Sequence, residues 1–115
     1  MFKILIQEND PDILDLMLLV LEAENQKVIG LSAYEDVLPA IEDFSPHLIL
    51  LDFVLTGSHC IRTCEGIKNV YPKISVIATS CNSAISKVYS LSGFDDYIEK
   101  PFNINDFWET IKKHL

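Results

Sequence analysis

Residues 47–53 read HLILLDF, and this stretch decides the fold because four apolar residues in a row end at one acid. A strand that is apolar at every position is expected in a parallel sheet whose two faces are both covered by helices. A lone carboxylate at the end of such a strand is costly without a cation or hydrogen-bond donors. The stretch therefore predicts the central strand of a sheet and a functional site at Asp52.

Four more short segments are rich in Ile, Leu and Val, and each strand is followed by a longer segment with helical spacing of its apolar residues. Asp10 and Pro11 supply the N-cap and the first-turn proline of a helix of about fourteen residues. Pro39 should kink or delay the second helix, and Gly93 should cap the fourth. The predicted strands are 2–6, 27–31, 47–53, 74–79 and 96–100, and the later helices are 33–44, 60–70, 83–92 and 104–115.

This alternation of strand and helix predicts one α/β domain over residues 1–115, a doubly wound five-stranded parallel sheet with helices on both faces. A chain of 115 residues with 49% hydrophobic residues can bury one core. No apolar stretch approaches the roughly 20 residues of a membrane-spanning helix, and the amino terminus lacks the pattern of an export signal. We therefore expect a soluble, cytoplasmic protein without a membrane partner.

The charge and the cysteines narrow the functional classes. A net charge of −8 argues against direct nucleic-acid binding by this domain, which would need clustered Lys and Arg. The odd set of Cys60, Cys64 and Cys81 fits free thiols in a reducing compartment. Cys60 and Cys64 lie one helical turn apart with His59 beside them, but three candidate ligands without a fourth are a weak metal motif. We interpret them as ordinary helix residues.

Polar side chains follow the predicted strands at one edge of the sheet, where ligands and reacting groups gather in folds of this kind. Lys100, opposite Asp52, could neutralise that carboxylate or hold an oxygen of an acyl phosphate. Asp10 stands directly before Pro11, so a helix cap is its favoured role. The set comprises Glu8, Asn9 and Asp10 after the first strand, Asp52 after the third, Thr79 and Ser80 after the fourth, and Lys100 after the fifth.

Four sequence blocks resemble, in the right order, the motifs of response-regulator receiver domains of two-component signalling. They are KILIQENDPDIL (3–14), HLILLDFVLTG (47–57), YPKISVIATSC (71–81) and GFDDYIEKPF (93–102). The resemblance implies a flavodoxin-like fold with strand order 2-1-3-4-5. It also implies a domain that accepts a phosphoryl group from a histidine kinase or phosphotransfer protein and switches a surface for a downstream protein, an output domain or a homodimer.

The resemblance assigns roles to individual residues. Asp52 is the implied phosphoacceptor, Lys100 contacts the phosphoryl group, and Ser80 supplies the hydroxyl that binds a phosphoryl oxygen, with Thr79 as its rival. Tyr97 matches the aromatic residue that turns inward when this hydroxyl moves. The bond before Pro101 matches one that is cis in the family. No enzymatic activity is implied beyond the domain's own phosphorylation and dephosphorylation.

A magnesium ion is implied to offset the added negative charge. Its ligands would be Glu8, Asn9, Asp52 and the main-chain carbonyl of Val54, with Asp10 as an alternative. Since the family usually has an acid where this chain has Asn9, we expect weaker Mg²⁺ binding.

Other departures from the family pattern leave a second hypothesis open. Thr56, His59 and Cys60 stand where the family commonly has a proline and an Asp-Gly pair, and the segment between Ser80 and Gly93 is about two residues short, which should shorten or alter the fourth helix. The competing hypothesis is a degenerate receiver that acts as a phosphorylation-independent interaction module. A hydrolase would need an acid at Val54, and a flavin phosphate would be repelled by residues 8–10. Gln7 replaces a usual aliphatic residue and, as a buried amide, needs partners.

Overall fold

A computed structural model of the protein describes residues 1–54 and 56–115. It contains a five-stranded parallel sheet in the order β2-β1-β3-β4-β5. The predicted doubly wound fold and its strand order are thus confirmed. The strands are β1 (Lys3–Gln7), β2 (Lys27–Leu31), β3 (Leu48–Asp52), β4 (Ser75–Ser80) and β5 (Asp96–Glu99). The helices are α1 (Pro11–Ala23), α2 (Val37–Phe44), α3 (Ser58–Val70), α4 (Ile85–Val88) and α5 (Ile104–Lys112), and a 3-10 turn at Tyr34–Asp36 precedes α2.

The central strand β3 is buried at every position, which explains why its sequence does not alternate. Successive side chains of a strand point to opposite faces of the sheet. Ile49 and Leu51 pack in the core beneath α2 and α3, whereas Leu48 and Leu50 pack with Met17 of α1 and with residues of α5. Two helical layers therefore shield both faces of the sheet from solvent. Polar and reacting groups are left at the ends of the strands.

The second helix begins later than the predicted residue 33. The chain first forms the 3-10 turn, and α2 starts at Val37. Pro39 then lies in the first turn of α2, where a helix needs no main-chain donor. Pro39 has delayed this helix rather than kinked it.

The fourth helix is much shorter than the predicted 83–92, because α4 contains only Ile85–Val88. Ile85 and Phe94 are both buried in the core, and the chain between them has to turn back towards β5. Gly93, in the left-handed conformation with φ of 92°, completes that turn. The predicted bounds 83–92 are therefore wrong, whereas the expectation that the short segment after Ser80 shortens or alters the fourth helix agrees with the structure.

Within the described ranges 1–54 and 56–115, no helix is long and apolar enough to cross a membrane.

Candidate functional site at the carboxyl edge of the sheet

Three charged side chains from three strand ends meet at the edge of the sheet. Lys100 Nζ lies 2.8 Å from Asp52 Oδ1 and 2.8 Å from Glu8 Oε1. The side chains of Lys100, Asp52 and Glu8 are 6%, 4% and 1% exposed, so little of the cluster is in contact with bulk water. Two buried carboxylates thus share one ammonium, and the cluster keeps one negative charge in excess when all three groups are ionised.

The shared ammonium and the burial shift the protonation of all three groups. Burial opposes the charge on Lys100, but its bonds to Asp52 and Glu8 outweigh this effect and raise the pKa of Lys100. Burial alone would also raise the pKa of Asp52, yet hydrogen bonds with Glu8, Lys100 and Asn9 lower it below the ordinary value. Burial, together with the neighbouring Asp52, raises the pKa of Glu8. Asp52 is therefore the carboxylate that stays ionised most readily.

The second oxygen of Asp52 is bound by Asn9. The main-chain amide of Asn9 donates to Asp52 Oδ2 at 3.1 Å, and its side-chain Nδ2 donates to the same atom at 3.0 Å. Asp10 donates its main-chain amide to Glu8 Oε2 at 3.0 Å, while its own Oδ1 accepts from the amides of residues 12 and 13. The prediction that Asp10 caps the first helix is confirmed.

Ser80 and Thr79 lie on opposite sides of β4. Ser80 is buried and lines a cavity of about 330 Å³ together with Asp52 and Lys100, and its Oγ accepts from the amide of Asn82 at 3.1 Å. Thr79 donates instead to the carbonyl of Leu51 at 3.4 Å, and its side chain does not line this cavity. The two hydroxyls that the sequence left in competition are thus separated by the pleat of the strand.

The remaining predicted residues fall into two groups. Glu8, Asn9, Asp10 and Val54 line the same cavity as Asp52, whereas Tyr97 does not. Tyr97 is half-buried on β5, and its ring centroid lies 5.0 Å from that of Tyr89. The Lys100–Pro101 bond is cis, as the resemblance implies.

Two residues beside Asp52 were not predicted as part of the site. Gln7 Oε1 accepts the main-chain amide of Asp52 at 3.0 Å, and Gln7 Nε2 donates to the carbonyl of Ser32 at 3.0 Å, which supplies the partners that its buried amide needs. The hydroxyl of Tyr34 donates to the carbonyl of Asp52. The available signal for Tyr34 was its position shortly after β2, whose carboxyl end lies at the same edge of the sheet.

The donor chemistry at this edge fits a hard divalent cation. In residues 1–54 and 56–115, no three His, Cys, Asp or Glu side chains are placed to share a metal ion. Glu8 and Asp52 nevertheless offer carboxylate oxygens, and Asn9 and Val54 add neutral oxygens, which is the oxygen-only set that Mg²⁺ prefers.

The sulfur and imidazole groups of α3 do not form a competing metal site. Cys60 and Cys64 are buried in the core, and burial raises the pKa of the Cys64 thiol to about 11. His59 packs against Tyr34, with ring centroids 4.5 Å apart. Their interpretation as ordinary helix residues is supported by this packing.

Comparisons of the sequence with known proteins point to a single family. The family model named response regulator receiver domain, which describes sequences, matches residues 4–112 of this chain. The regulatory protein VanR of Enterococcus faecium is 30% identical over 114 residues, which are 98% of this chain and 49% of VanR. The chain thus spans about half the length of that curated relative.

Solved structures that resemble this chain are also response regulators. A CheY-like response regulator receiver domain protein from Methanospirillum hungatei is 30% identical, with 98% of this chain and 92% of that chain covered and a TM-score of 0.86. The response regulator TrrA of Thermotoga maritima shares the fold at a TM-score of 0.88, with both chains covered completely and 23% identity. The family model covers nearly the whole chain, and the chain therefore belongs to the response regulator receiver domain family.

Proposed function

We propose that this domain accepts a phosphoryl group on Asp52 from the phosphohistidine of a histidine kinase or phosphotransfer protein. The observation that carries the proposal is the Asp52 carboxyl group, held by Lys100 and Asn9 at the wall of a cavity that is also lined by Ser80. An oxygen of Asp52 attacks phosphorus, the phosphorus–nitrogen bond breaks, and the histidine nitrogen keeps the electron pair. The domain acts in signalling and has no other enzymatic activity.

Each neighbouring residue has a defined task in this reaction. Lys100 offsets the negative charge that the phosphoryl group adds. Ser80 Oγ already accepts a hydrogen bond from Asn82, so its own hydrogen is free to donate to a phosphoryl oxygen.

A magnesium ion fits the acid side of the cavity. It would be held by Asp52, Glu8, Asn9 and the carbonyl of Val54, and it supplies positive charge beside the transferred group. The structure of TrrA was solved in complex with Mg²⁺ and BeF, so the fold holds Mg²⁺ in that protein.

The phosphorylated domain would then present an altered surface on the β5 side. Tyr97 pairs with Ala78 of β4, and Ser80 pairs with Glu99 of β5, so a shift of Ser80 reaches the strand that carries Tyr97. We propose a downstream protein or output domain as the reader of this surface, through contact or through a homodimer, in the cytoplasm.

Phosphorylation by a small phosphodonor tests the proposal. Incubation with acetyl phosphate and Mg²⁺ should add the mass of one phosphoryl group to the wild type, and the adduct should be absent from Asp52→Asn. The exposed acid Asp43 provides the control, because Asp43→Asn should behave as the wild type. A wild type that gains no adduct at any Mg²⁺ concentration contradicts the proposal and supports the phosphorylation-independent interaction module.

A further inference from the structure

Side chains bind both main-chain polar groups of Asp52 on the β1 side. The pairing of β1 with β3 ends at Gln7, opposite Leu51, and the amide of Asn9, the next donor along the chain, goes to the Asp52 side chain, so β1 provides no main-chain donor for the Asp52 carbonyl. Gln7 Oε1 accepts the amide of Asp52 at 3.0 Å, and the hydroxyl of Tyr34 donates to its carbonyl. On the other side, Asp52 pairs with Thr79 of β4. The main chain of Asp52 is therefore fixed from both neighbouring directions.

The two side chains are themselves held in place. Gln7 is fully buried, and its Nε2 donates to the carbonyl of Ser32 at 3.0 Å, so the amide uses both of its ends. Tyr34 begins the 3-10 turn that follows β2, and the ring of His59 packs against its ring. These contacts connect the loop after β2 to the end of β3.

This arrangement sets the direction of the oxygen atoms that would bind a cation. The carbonyl of Asp52 belongs to the peptide unit that joins Asp52 to Phe53, and the amide of Phe53 donates to the carbonyl of Thr79 at 2.7 Å. With both atoms of that unit bonded, its plane cannot rotate freely, and the direction of the chain towards Val54 is set. A cation site with only two carboxylates depends on such prior alignment of its ligands.

We propose that Tyr34 and Gln7 are positioning residues for the divalent-cation site formed by Asp52, Glu8, Asn9 and the Val54 carbonyl. They act through the main chain of Asp52 and do not touch the cation. The inference rests on the proposed function, since it concerns the same site, and it adds two residues that the motif pattern does not include.

The variant Tyr34→Phe removes only the hydroxyl. Mg²⁺ titrations followed by amide NMR shifts, on samples shown to be folded, should give a Kd about tenfold higher than that of the wild type, as is usual when a group that orients a metal ligand is lost. Tyr71→Phe is the matched control, because the Tyr71 hydroxyl bonds Glu42 at 3.2 Å on an exposed part of the molecule. This control should keep the wild-type Kd.

A second variant, Gln7→Met, keeps the length of the side chain but removes the Oε1 acceptor of the Asp52 amide, and the Mg²⁺ Kd should rise in the same way. A merely structural role would lower the free energy of unfolding of these variants and leave their Mg²⁺ Kd within about twofold of the wild type. That result, in either folded variant, overturns the inference while the proposed function stands. A wild type that binds no Mg²⁺ defeats the proposed magnesium site first, and the inference with it.

Discussion

Asn9 and Asp52 are joined by two hydrogen bonds that end on the same carboxylate oxygen, one from the main-chain amide at 3.1 Å and one from Nδ2 at 3.0 Å. An aspartate at position 9 would keep the first bond, but it would replace the second with repulsion between two carboxylates. Asn9 therefore stabilises Asp52 without a cation, and it removes one charge from the ligands that a cation would use.

Asn9→Asp should strengthen Mg²⁺ binding and weaken the fold in the absence of metal. We expect the Mg²⁺ affinity to rise on the order of tenfold because the site gains a charged ligand. The free energy of unfolding without metal should fall by about 1 kcal/mol because a hydrogen bond is lost. Calorimetric Mg²⁺ titration and urea unfolding with a chelator measure the two effects. An unchanged affinity would show that position 9 does not touch the cation.

Lys100→Met should destabilise the fold strongly, because it leaves Asp52 and Glu8 buried without their shared ammonium. We expect the free energy of unfolding at neutral pH to fall by about 3 kcal/mol. The control is Lys112→Met, because the pair of Lys112 with Glu109 is mostly exposed and should change stability by less than about 1 kcal/mol. Urea unfolding of both variants gives the comparison, and equal losses would argue against a buried ion cluster.

The pH dependence of stability should separate the two carboxylates. The pKa of Asp52 is lowered in the folded chain, so its contribution is present above the unfolded-state value of roughly 4 and is lost as the pH falls through the folded-state pKa. The pKa of Glu8 is raised by burial, so its contribution is present below roughly 4 and is lost as the pH rises through the folded-state pKa.

Urea unfolding across the acid range checks both signs. Asp52→Asn should lose less stability in acid than the wild type, whereas Glu8→Gln should be more stable than the wild type at neutral pH. Profiles of the same shape in all three proteins would mean that neither carboxyl group is perturbed by folding.

Two glycines with positive φ provide a matched pair of substitutions. Gly57 has φ of 73°, and a methyl group there would run into the ring of Phe53, whereas Gly93 has φ of 92° and open space around it. Gly93→Ala should cost about 1 kcal/mol for the left-handed conformation alone. Gly57→Ala should cost about 3 kcal/mol, because overpacking is added. Thermal or urea unfolding would reveal whether the Phe53 contact accounts for the difference.

The sequence was sufficient where local or periodic signals define a position. Glu8, Asp52 and Lys100 each follow a recognisable strand, and parallel strands end at one edge, so their meeting could be predicted. The capping role of Asp10 follows from its place before Pro11.

Positions that depend on the path of a loop could not be predicted. Tyr34 reaches Asp52 because the chain forms a 3-10 turn after β2, and such a turn has no apolar period. The end of α4 is set by the return of Phe94 to the core, although the sequence up to residue 92 is compatible with a helix. Gln7 was recognisable as unusual, but its two partners lie 25 and 45 residues away along the chain.

If the domain has the proposed function, the sharing of one ammonium by two buried carboxylates would impose an order of arrival on incoming ions. With all three groups ionised, the surplus negative charge of the trio Glu8, Asp52 and Lys100 would repel a dianionic phosphodonor that approaches first. A doubly charged metal ion would reverse the sign of the charge at this site, and the donor would then be attracted. Metal concentration, as well as donor concentration, would therefore set the rate at which the domain is loaded.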